Sequence, residues 1–145
     1  MSYVVQTDIE AMIPSDFLVQ ALNDSGEEGG ESAGWVKVAQ AVDDQINALL
    51  SVGYTVPLVS PCPTLIKEAA KVLAASLCYK RRGKTGDGNP WGTSEANWIK
   101  RLEKIGKGEE LVPELLAQKL GASPSGGAVI SEDSKLYNSA GGLMV

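Results

Sequence analysis

The stretch "YTVPLVSPCP", Tyr54 to Pro63, constrains the fold most, because it holds three prolines within seven residues. Proline lacks a backbone N–H, fixes its own φ and pushes the preceding residue toward extended conformations. No helix crosses this stretch, so the helical patterns on either side are separate elements joined by an extended link. Upstream, from about Ser32 to Ser51, Val38, Val42, Ile46 and Leu49 fall at i, i+4, i+8 and i+11, one apolar stripe. Gly53 is placed to end that helix. Downstream, Pro63 and Thr64 open a helix running to about Arg82, with Leu65, Ile66, Ala69, Val72, Leu73 and Leu77 on a broad apolar face. Its many alanines permit close packing, which makes it the expected central helix.

Shorter elements flank this pair. Thr7 with Glu10 three residues on has the pattern of a capping box, and Pro14 stops the short helix it would start. Ser15 is the expected cap of a second short helix, "DFLVQALN". Ser94 is the expected cap of "EANWIKRLEKIGKG", where Trp98, Leu102 and Ile105 share one face, a spacing more typical of core than of a ligand platform. "VPELLAQKLG" reads as a further short helix or an extended segment. The fold class expected is all-α: a bundle of four to five helices over residues 1–120, followed by an extended arm over 121–145. That arm is rich in Gly and Ser, yet Val129, Ile130, Leu136, Tyr137, Leu143 and Met144 stud it with apolar side chains. It reads either as a disordered tail or as an arm that becomes ordered on a partner, adding a strand or filling a groove.

Several chemistries fail on residue type or spacing. The chain has no histidine, which removes the commonest general base and the commonest metal ligand, and no paired carboxylates or lysine are arranged for catalysis. No enzyme activity, cofactor or metal is expected. Two cysteines, Cys62 and Cys78, match no zinc spacing and bracket one helix, too far apart to bridge. "YKRRGKTGDGNPWG" resembles a phosphate-binding loop, but Cys78 stands where that motif needs its first glycine, and the residues before it read as helix rather than strand. It is expected to be an exposed link with Trp91 anchoring its end. The acidic "DSGEEGGESAG" also fails as a calcium loop: with Gly26 in sixth place, Ala21 and Ser32 would occupy the first and last ligand positions. No apolar run approaches the length of a membrane span, and the N-terminus lacks a signal-peptide pattern, so a cytoplasmic site of synthesis is expected.

Charge is unevenly spread. Residues 1–60 carry nine acids and one base, residues 61–107 ten bases and four acids, and residues 108–145 five acids and two bases. Such a split fits either a solvated surface or a molecule whose acidic face meets the basic face of an identical neighbour, a head-to-tail contact that can close a ring.

Taken in order, the pieces resemble a known group. The short N-terminal helix pair, the acidic Asp/Gly loop, the succession "ALLSVGYTVPL…CPTLIKEAAKVLAASLCYKRR" and the final "WIKRLEKIGKGEE" look like the small head–tail connector proteins of tailed phages, also called adaptor or head-completion proteins. The resemblance covers roughly residues 3–110, with "SEDSKLYNSAGGLM" a fainter match to the family's arm; "GKTGDGNPWG" is longer than the corresponding family turn. The resemblance implies a virion protein at the head–tail junction, or neck. It implies a ring, commonly of twelve copies, bound to the portal on one side and to tail or stopper proteins on the other. Genomic DNA would pass through that ring without specific binding, and no catalysis is implied. In such a ring Lys80, Arg81, Arg82 and Lys84 would meet a neighbour's Glu27, Glu28 and Glu31, and the arm would bind the portal or a neighbour. The alternatives are a small soluble interaction or regulatory helical module and, third, a nucleotide- or nucleic-acid-binding protein using the basic segment.

Overall fold

Each apolar stripe legible in the sequence becomes a helix, and the helices pack around the one that follows the prolines. The computed structural model describes residues 2–121. Five α-helices carry the fold: α1 (Gln6–Glu10), α2 (Ser15–Leu22), α3 (Glu31–Leu50), α4 (Thr64–Arg81) and α5 (Gly92–Gly106), with 3-10 turns at Gly86–Gly88 and Pro113–Gln118. Among the described residues there is no strand, only an isolated antiparallel bridge between Tyr54 and Lys119. The all-α bundle expected from the sequence is the architecture found; the arm, apart from Gly121, lies outside the described residues.

Helix α4 is central, packing against α1, α2, α3 and α5. Ala69, Ala70, Ala74 and Ala75 are wholly buried along it, so neighbouring backbones approach closely, and Ile66 and Leu73 fill the spaces between. The stripe of α3 is Val38, Val42, Ile46 and Leu50, all buried, with Leu49 only half-buried. Extending a four-residue step from Ile46 reaches Leu50, one position past the Leu49 expected from the sequence. On α5, Leu102 and Ile105 are buried while Trp98 is half-buried beneath the Arg101 guanidinium, 5.3 Å from its ring centre.

Two glycine sites set how closely helices cross. A Cβ on Gly34 would stand 1.7 Å from the Leu22 carbonyl oxygen, so the start of α3 can lie against the end of α2 only without a side chain there. Likewise a Cβ on Gly53 would meet the Gly106 carbonyl oxygen at 2.3 Å. Gly53 therefore serves a close approach to the end of α5, beyond the role of helix terminator expected for it.

The N-terminus and the proline link are tied together across the core. The Tyr3 hydroxyl donates to Asn47 Oδ1 (2.5 Å) and accepts from the Leu58 N–H (2.9 Å), while the Tyr3 N–H donates to Asp43 (3.0 Å). Thr55 N–H donates to the Gln118 carbonyl (2.7 Å), and Leu120 N–H to that of Gly53 (2.9 Å). "VPELLAQKLG" is thus a 3-10 turn that ends paired against the link. Within the link the peptide bonds Val56–Pro57 and Ser60–Pro61 are cis.

The helix caps differ from those expected. Asp8, not Glu10, reaches back to the N-cap of α1, accepting from the Val5 N–H (3.1 Å), and Thr7 lies inside the first turn. Pro14 leads into α2, its φ of −54° already suited to the turn, which moves Ser15 into the helix. Helix α5 begins two residues before Ser94. Its entry is held by buried Asn89, whose Oδ1 accepts from the Trp91 N–H (3.0 Å) and whose amide donates to the Ser76 hydroxyl (2.8 Å). Trp91 is half-buried against the core and anchors that end of the loop, as expected. Cys62 and Cys78 are buried and unbridged, and burial pushes both thiols up to about 11.

Candidate interaction surfaces

The basic end of α4 meets the acidic loop of its own chain. Arg81 reaches Asp24 with both carboxylate oxygens at 2.5–2.6 Å and donates its Nε–H to the Ala21 carbonyl (2.9 Å). Lys37, from α3, approaches the same carboxylate at 3.4 Å. The hydrogen bond from Arg81 holds the Asp24 carboxyl below its usual range. Lys80 pairs with Glu95 at 2.8 Å, clamping α4 to the first turn of α5. So two of the four bases expected to reach a neighbour's acids spend their charge at home. The acids they meet, Asp24 and Glu95, were outside the expected set. A split of opposite charges along a sequence says that the segments attract, but not whether they meet within one chain or between two.

The other members of that set remain outward. Arg82 is exposed, its guanidinium 5.4 Å from the Phe17 ring centre, and Phe17 in turn stacks on Tyr79 at 4.3 Å. Lys84, Glu27 and Glu28 are exposed and Glu31 is half-buried; none of these five residues forms an ion pair among the described residues. The arm residues Val129, Ile130, Leu136, Tyr137, Leu143 and Met144 lie outside the described residues.

The glycine-rich loop between α4 and α5 has no phosphate-loop geometry, since a helix precedes it and Gly83 makes a left-handed turn with φ +75°. It borders a cleft of about 480 Å³ lined by Asp87 and by the Lys80–Glu95 pair among others. A second cleft, of about 290 Å³, opens between α1, α2 and the start of α3. Its floor is Leu18, Val19 and Leu22, and Glu10 and Glu31 stand on its rim. Sequence reading missed this cleft because its walls come from three separate elements. Among the described residues no group of three or more Cys, Asp or Glu side chains is placed to hold a metal ion, and no helix is long and apolar enough to cross a membrane.

The family model described as "Bacteriophage Mu, Gp36" matches residues 3–130. The chain belongs to the bacteriophage Mu Gp36 family. This is a family of phage proteins, in keeping with the phage connector resemblance read from the residues. The Gp36 family match takes in all five helices and continues past Gly121 into the arm. No curated protein and no solved structure gives a match.

Proposed function

We propose that this Gp36-family chain is a head–tail connector, a structural subunit repeated in a ring beneath the portal of a tailed-phage capsid. The observation that carries the reading is the match to a phage family across the whole bundle and the start of the arm. The order of elements supports it: paired short helices, an acidic loop, two long helices around a proline link, then a basic helix. The portal stands on one side of the ring and tail or stopper proteins on the other, with twelve copies the expected number. Packaged DNA passes through the centre, and the function involves no catalytic step. Phosphate contacts by Lys and Arg dominate affinity for DNA, so a subunit of net charge −5 suits a passage better than a clamp.

Pairing inside the chain bears on which charges we assign to the ring contact. With Lys80 and Arg81 engaged inside the chain, Arg82 and Lys84 are the bases left to meet a neighbour's Glu27, Glu28 and Glu31. The test is co-sedimentation with portal assemblies of the same phage. The chain is expected to travel with the portal at a fixed stoichiometry. A chain that stays at the top of the gradient under conditions where the portal is intact would contradict the reading.

A further inference from the structure

Two adjacent arginines close α4 and are used differently. Arg81 is taken by Asp24 of its own loop. Arg82 instead lies over the Phe17 ring, 5.4 Å from its centre, and Phe17 is stacked on Tyr79 at 4.3 Å with the ring planes 29° apart. Both rings are half-buried against the core, Phe17 on α2 and Tyr79 on α4, so the stack is anchored in the bundle. The backbone there is tied down as well: the Arg82 N–H donates to the Tyr79 carbonyl (3.0 Å) and the Lys84 N–H to the same oxygen (2.9 Å). Arg82 is exposed and pairs with no carboxylate among the described residues. A guanidinium held by its face keeps its N–H edge free, and that edge meets a carboxylate with two parallel donors. Because the side chain is already ordered, binding costs less of its rotamer freedom. Lys84 is exposed with no aromatic ring beneath it, and an ammonium has no such edge.

The loop after α2 supplies the complementary half. Asn23 Oδ1 accepts from the Gly26 N–H (2.9 Å), its amide donates to the Glu27 carbonyl (2.7 Å), and Asp24 is held by Arg81. The loop is fixed at its base, with Glu27 and Glu28 exposed and unpaired among the described residues. Within the described chain the two halves do not meet. A free anion would satisfy Arg82 alone and leave both glutamates unpaired, whereas a second copy satisfies all three. We propose that the Tyr79–Phe17 stack is a platform that presents Arg82, rather than Lys84, to Glu27 and Glu28 of the next copy. Phe17 is thus a positioning residue for the contact. Two different patches meeting make a heterologous contact, the kind that closes a ring. The inference rests on the ring reading above and adds to it the residue that orients the contact and the need for a guanidinium.

The test uses full-length chains and two readouts. In the first, unlabelled chain is added to isotope-labelled chain, and the Arg82 side-chain N–H signal is followed by NMR. It should move as chain is added, while the Arg81 signal stays in place. Added chain carrying Glu27→Gln and Glu28→Gln should leave it still. Phe17→Leu in the labelled chain, which changes no charge, should weaken the response about two- to fivefold, and Phe17→Tyr should preserve it. In the second readout, chains are assembled on the portal. Arg82→Lys, which leaves the core untouched, should lower assembly by a similar factor. Arg82→Glu alone and Glu27→Lys with Glu28→Lys alone should both assemble poorly, and the two chains mixed in equal amounts should recover. An Arg82 signal indifferent to the residue at position 17, full assembly of Arg82→Lys, or no recovery on mixing would overturn the proposal. An Arg82 signal that answers a short DNA duplex but not added chain would overturn it too, in favour of a phosphate site. An Arg82 response in a chain that never travels with the portal would keep this contact while removing the connector reading. Portal assembly untouched by the charge reversals would do the reverse.

Discussion

At Gly34 the absence of a side chain holds two helices together. Alanine is normally the better helix former by roughly 0.5–1 kcal/mol. Here its methyl group would overlap the Leu22 carbonyl, and overpacking of that kind costs about 1–3 kcal/mol. The sign therefore reverses: Gly34→Ala should lower the melting temperature, read by circular dichroism, and an unchanged or raised value would contradict the packing described. Tyr3 is a second such residue. Replacing it with Phe removes a hydroxyl that serves both Asn47 and the Leu58 N–H. Leaving a buried donor unpaired costs about 1–3 kcal/mol, so Tyr3→Phe should destabilise the fold to that extent in chemical denaturation. Asp24 reports on its own pairing. Its carboxyl is held below the ordinary range of about 3.9 by Arg81. Any stabilisation from the pair is present above that range and disappears as pH falls through the lowered value. A carboxylate titration by NMR should show Asp24 titrating below the usual aspartate range, and Arg81→Gln should bring it back toward that range.

At the scale of elements, what was legible followed from period and what was not followed from position. Val38, Val42 and Ile46 announce α3, and Ile66, Ala69 and Leu73 announce α4, because a 3.6-residue repeat must turn one face inward wherever the chain goes. The prolines announce the break between them. Caps lie one to three residues from the expected positions at α2, α1 and α5, since Asp8, Pro14 and Asn89 can do locally what Glu10, Ser15 and Ser94 could also have done. The acid-rimmed cleft was illegible, for Glu10, Val19 and Glu31 come together only once three helices have packed. The pairing of Arg81 with Asp24 was illegible for the same reason. It contributes less than the apolar faces, because an ion pair in water is screened and gains little over its own hydration, while burying one Leu or Ile side chain is worth about 1.5–3 kcal/mol. Arg81→Gln should accordingly leave the helix content intact, whereas truncating Leu73 to Ala should cost about 2–5 kcal/mol.

On the scale of the whole molecule, the apolar core is closed within the chain, whereas under the proposed function the outward charges are met by copies and partners. Because Arg81 is committed within the chain, reversing Arg82 and Lys84 together to Glu is the cleaner probe of subunit contacts. That variant should fold normally and assemble more weakly, with the largest deficit at low salt, where exposed charges are least screened. Sedimentation velocity across a salt series measures this, and identical assembly at every salt would remove those two bases from the contact. Deleting residues 122–145 should leave the thermal unfolding of the bundle almost unchanged while reducing its incorporation into particles. The most direct measurement is an electron cryomicroscopy reconstruction of the neck of the parent phage, into which the bundle of residues 2–121 is fitted. The account predicts a ring of these bundles directly beneath the portal, open along its axis for DNA. A neck whose density is fully explained by other proteins, in particles that lack this chain by mass spectrometry, would contradict it.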